Sequence, residues 1–70
     1  MKEIRNKIKY YLNKVPNMNE VTILGILSPF DTEEQALQML RYLENNSENV
    51  SLMKRDNLIK VALTIVGINV

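Results

Sequence analysis

The chain has 70 residues, carries 9 Lys and Arg against 8 Asp and Glu for a net charge of +1, and contains neither cysteine nor histidine. That length holds one domain, residues 1–70, and the missing side chains exclude disulfides and the usual zinc, copper, haem and iron–sulfur ligand sets. A composition of 46% apolar and 24% charged residues belongs to a folded chain rather than a disordered one.

A chain this short buries only ~60% of the surface that its unfolded form exposes, so its stability margin is narrow. Small domains compensate with disulfides, a metal or a partner subunit. With the first route closed and the second reduced to hard cations on carboxylates, self-association is the expectation that remains. The stretch Val61 to Val70 is too short and too interrupted by Thr64, Gly67 and Asn69 to cross a bilayer. The charged N-terminus has no apolar segment or small-residue cleavage site behind it. A soluble cytoplasmic protein is expected, and the lack of cysteine fits a reducing compartment.

In the first element, from Lys2 to about Val15, Ile4, Ile8, Tyr11, Leu12 and Val15 recur at steps of three and four and predict one helix face. Lys2, Arg5, Lys7, Lys9 and Lys14 take up the rest of the circumference, and Pro16 disfavours helical geometry at Val15. Asn17 and Asn19 are cap candidates for a second element, Glu20 to Leu27. Val21, Thr22 and Ile23 favour a strand there. Glu20 near the start, with Val21, Leu24 and Leu27 at steps of three, favours a short helix packed on several sides, and this is the reading preferred.

Ser28-Pro29-Phe30-Asp31 reads as a turn. Thr32-Glu33-Glu34-Gln35 then matches a capping box, and Ala36, Leu37, Met39, Leu40 and Leu43 follow at helical spacing until Asn45-Asn46-Ser47. The last third fits two templates. One is a helix opening at Asp56, with Leu58, Ile59, Ala62, Leu63 and Val66 buried and Gly67 at the C-terminal cap. The other is a β-hairpin of Val50–Lys54, a turn at Arg55-Asp56-Asn57 and a strand in which Ile59, Val61, Leu63 and Ile65 alternate with polar or small residues. The preferred fold is an all-α domain of three to four helices. The alternative is α+β, three helices followed by a C-terminal hairpin, with a winged-helix outline.

Nothing in the sequence assembles a catalytic site. Ser28, Ser47 and Ser51 lie outside any nucleophile-elbow pattern and have no His to serve as base. Asp31, Glu33 and Glu34 form the one acidic cluster, which a helix cap and its dipole explain without a metal. Gly25 and Gly67 stand alone, so no phosphate-cradling loop is present. A non-enzyme without cofactor, metal or evident small-molecule ligand is expected.

Charge divides along the chain. Residues 1–15 set Lys2, Arg5, Lys7, Lys9 and Lys14 against Glu3, a net +4. Residues 16–49 set Arg41 against Glu20, Asp31, Glu33, Glu34, Glu44 and Glu48, a net −5. The rest sets Lys54, Arg55 and Lys60 against Asp56, a net +2. A basic amphipathic helix can meet phosphate backbones, so Lys2, Arg5, Lys7, Lys9 and Tyr10 are candidate nucleic-acid contacts, Tyr10 by stacking. A lipid surface is a poorer match, because the apolar face lacks Trp and Phe and the fold needs it for a core. The second and third elements follow the order of a helix-turn-helix. However, Glu33 and Glu34 would stand where a recognition helix meets phosphates.

The last third is apolar on nearly every side, and the basic first and acidic third elements are complementary within one chain or between two. The leading expectation is therefore a small protein-interaction or regulatory module. It would form a homodimer, or dock on another protein, through Leu58, Val61, Ile65 and Ile68. Nucleic-acid binding by the first helix is the alternative.

Overall fold

Residues 1–67 are described by the computed structural model. They form α1 (Lys2–Leu12), α2 (Glu20–Leu27), α3 (Glu33–Asn45), a 3-10 helix (Ser47–Leu52) and α4 (Arg55–Ile65). The all-α reading holds, and the hairpin does not form. Among the described residues there is no strand: Val50 sits in the 3-10 helix, and 55–57 open α4 instead of turning.

Several helix boundaries have a local cause. The α-helical part of α1 stops at Leu12, short of the expected Val15, because the chain tightens there. Lys14 and Val15 donate their backbone N–H groups to the carbonyls of Tyr11 and Leu12, three residues back. Asn17 then takes a left-handed φ of 61°, which Asn tolerates better than most residues. Asn19 caps α2, its Oδ1 accepting the Thr22 N–H at 2.8 Å. The capping box of α3 is complete. Thr32 Oγ1 accepts from the Gln35 N–H at 3.2 Å, and Gln35 Oε1 accepts from the N–H groups of Thr32 and Asp31 at 3.3 and 2.8 Å. At the far end of α4, Gly67 adopts φ 81° and donates to the Thr64 carbonyl, closing the helix as a left-handed cap.

Helix α1 packs most broadly on α3, while α4 lies against both α3 and α2. Ile8, Leu12, Val15, Ile23, Ile26, Leu27, Phe30, Ala36, Met39, Leu40, Leu43, Val50, Leu58 and Ala62 form one continuous buried cluster. Phe30 is its largest fully buried side chain, supplied by the turn between α2 and α3. The apolar surplus of the last third is largely absorbed by this arrangement. Leu58 and Ala62 point to the core, and Ile59, Val61, Ile65 and Val66 pack partly buried against it.

Candidate functional site

The four residues expected to form an interface divide. Leu58 is 1% exposed and belongs to the interior of a single chain, because α4 turns it and Ala62 inward together, four residues apart on one face. Val61 and Ile65 are half-buried flanks of α4. Ile68 lies outside the described residues.

The basic candidates divide as well. Arg5 is part-buried and reaches across to the last residue of α2 and the turn that follows it. Its guanidinium donates to the Phe30 carbonyl at 2.7 Å and, at the long limit of 3.4 Å, to the Leu27 carbonyl. Carbonyls at a helix C-terminus lack intrahelical donors and carry the negative end of the dipole, so a cation there is stabilising. Arg5 is therefore committed to joining α1 to α2. Lys2 and Lys7 are exposed, Lys9 is half-buried, and Tyr10 is 60% exposed. Tyr10 does not stand free on all sides. Lys14 Nζ lies 4.2 Å from its ring centroid, and the Tyr11 ring meets it edge-on at 5.5 Å.

The most exposed apolar side chains lie elsewhere. Helix α2 buries Ile23, Ile26 and Leu27 on one side. Val21, Leu24, Gly25 and Ser28, at steps of three and four, form the opposite stripe, and all four are exposed. Val21 is 79% and Leu24 49% exposed, so α2 is not packed on several sides as its apolar pattern predicts. Nothing in the pattern separates the two stripes, because α2 is apolar on both sides and charged only at Glu20. A further exposed apolar residue, Leu52 at 78%, sits on the 3-10 helix.

Two grooves flank the α2 stripe. Toward α4, a groove of about 240 Å³ is lined by Thr22, Gly25, Ile26, Pro29, Ile59, Ala62 and Leu63 and is almost wholly apolar. Toward α1, a recess of about 280 Å³ is lined by Lys9, Asn13, Glu20, Ile23 and Leu24. Lys9 and Glu20 face this recess without pairing. Among the described residues the one ion pair is Arg55–Asp56, at 3.6 Å on the surface. The basic face of α1 and the acidic face of α3 are likewise not joined by ion pairs within the chain. A third, more open recess of about 810 Å³ lies between residues 16–19 and 52–56, where α2 and α4 begin. Among the described residues, no three carboxylates gather to hold a metal ion, and no helix is long and apolar enough to cross a membrane.

Gly25 has an unusual setting for a residue in mid-helix. A Cβ built on it would meet nothing within 4 Å, so no contact inside the chain calls for glycine there. Glycine at such a position costs about 1 kcal/mol of helix stability relative to alanine. No known protein family, no curated protein and no solved structure matches the chain.

Proposed function

We infer that the protein is a small non-enzymatic interaction module that self-associates through the outward stripe of α2, with the Ile59 and Leu63 side of α4 beside it. The observation that carries this reading is the exposure of Val21 and Leu24 on a helix whose other side already supplies the core. An ordinary surface helix turns polar residues to water, and adjoining exposed apolar residues on a small domain mark an interface. The size of the chain points the same way, since a domain without staples gains stability from a partner. Sedimentation equilibrium at micromolar concentration tests it. The wild-type chain forms dimers, and Val21→Lys or Leu24→Lys returns it to monomers without unfolding it. A wild-type chain that stays monomeric sinks the reading.

A second reading, nucleic-acid binding by α1, draws on the exposed Lys2, Lys7 and Tyr10. It requires binding to short DNA at ~50 mM salt that weakens steeply as salt rises and disappears in Lys7→Glu/Lys9→Glu. A cytoplasmic setting accompanies either reading, since a chain without cysteine has no disulfide to lose there.

A further inference from the structure

Resting on self-association through α2, we propose that the second copy lies across the recess between α2 and α1. Glu20 of each chain then pairs with Lys9 of the other, and the two Leu24 side chains meet between these pairs. Helix α2 carries a single charge, Glu20 at its start. Helix α1 runs alongside in the opposite sense. Arg5 ties its start to the turn after α2, and Lys9 and Asn13 farther along face Glu20 and Leu24 across the recess. Arg5 is engaged by backbone carbonyls, and Lys9 is the one cation that lines the recess. Lys9 and Glu20 share this recess without pairing with each other or with any other described residue.

One recess thus has a cation on its α1 wall, a carboxylate on its α2 wall and an exposed leucine on its rim. A two-fold axis lying in this face, midway between Lys9 and Glu20 and perpendicular to the line joining them, exchanges their positions. Each Glu20 then stands opposite the other copy's Lys9, which is the self-complementarity an isologous contact requires. Leu24 lines the same recess, so it lies near the axis and meets its counterpart there. Other axes through the stripe match less well. One running along α2 sets Glu20 near Glu20, and like charges facing each other across an interface repel. One farther out, at Val21 or Gly25, covers apolar residues but leaves Lys9 and Glu20 with no opposite charge to meet. The area needed is modest. A specific interface of about 1,000 Å² counted over both partners takes roughly a tenth of one copy's surface from each, and that surface is 4774 Å².

Charge reversal tests the pairing. Sedimentation equilibrium at low salt compares the wild type with Lys9→Glu, Glu20→Lys and the double variant Lys9→Glu/Glu20→Lys, the fold of each checked by circular dichroism. Each single reversal is expected to raise the dimer dissociation constant about tenfold, because the two-fold counts every lost pair and every like-charge contact twice. The double variant restores opposite charges and returns to within about threefold of the wild type. Glu20→Lys/Lys60→Glu has the same net charge as the double variant, but Lys60 is an exposed residue of α4 outside the recess. It is expected to stay as weak as Glu20→Lys alone. Single reversals without effect, a double variant that stays weak, or a rescue by Lys60→Glu as complete as that by Lys9→Glu each overturn the pairing and leave self-association through α2 standing. A wild-type chain that is monomeric throughout overturns both.

Discussion

Replacing Arg5 with alanine separates a structural arginine from a ligand-binding one. The side chain donates to the Phe30 carbonyl at 2.7 Å and weakly to Leu27 at 3.4 Å, and so ties the start of α1 to the turn after α2 and, weakly, to the end of that helix. A hydrogen bond with a charged donor contributes about 1.5–3 kcal/mol net. Since Arg5 is only part-buried, the lower end of that range applies to the short bond, and the long one adds little. Neutralising the C-terminal end of a helix dipole adds about 0.3–1 kcal/mol. The expected loss in Arg5→Ala is thus about 2 kcal/mol. A domain of this size has a total stability of about 4–10 kcal/mol, so the loss is a substantial share. Urea unfolding followed by circular dichroism at 222 nm measures it. The corresponding fall in melting temperature is roughly 8–16 °C. Arg5→Lys, which supplies a cation but not the planar fork, loses about half as much. A loss below about 0.5 kcal/mol in Arg5→Ala, the size of an ordinary surface change, refutes the role assigned to this contact.

The same unfolding assay checks four further substitutions. Thr32→Ala removes the hydroxyl that accepts from Gln35 and costs about 1 kcal/mol. The two glycines respond in opposite directions. Gly25→Ala stabilises the monomer by up to about 1 kcal/mol, because its Cβ meets open space in a helix. Gly67→Ala, at φ 81°, destabilises it by about 1–2 kcal/mol despite equally open surroundings. Phe30→Ala removes the largest fully buried side chain, costs about 3–5 kcal/mol and leaves a visibly unfolded fraction at 37 °C.

Much of the fold could be read from local signals, and α3 most fully. Its start is written into four consecutive residues, Thr32 to Gln35, whose hydrogen bonds need nothing from the rest of the chain. The inward face of α1 was equally plain from Ile8 and Leu12. The last third was ambiguous because its β-branched residues suit a strand as well as a helix. The tie is resolved by tertiary packing. As a helix, residues 55–65 bury Leu58 and Ala62 and lean Ile59, Val61 and Ile65 against the common core. The candidate site was far less legible. Arg5 reads as one basic residue among five, and its acceptors lie 22 and 25 residues away. Val21 and Leu24 carry no mark that sets them apart from Ile23 and Leu27. Which apolar stripe of α2 faces inward is decided by where α1 and α4 pack.

Self-association places the outward stripe of α2 between two copies of the chain. Sedimentation equilibrium of the wild type beside Leu24→Lys, at the same micromolar concentrations, tests it most directly. The expected result is a concentration-dependent dimer in the first and a folded monomer in the second. A wild-type monomer, or a dimer that Leu24→Lys leaves unchanged, contradicts it.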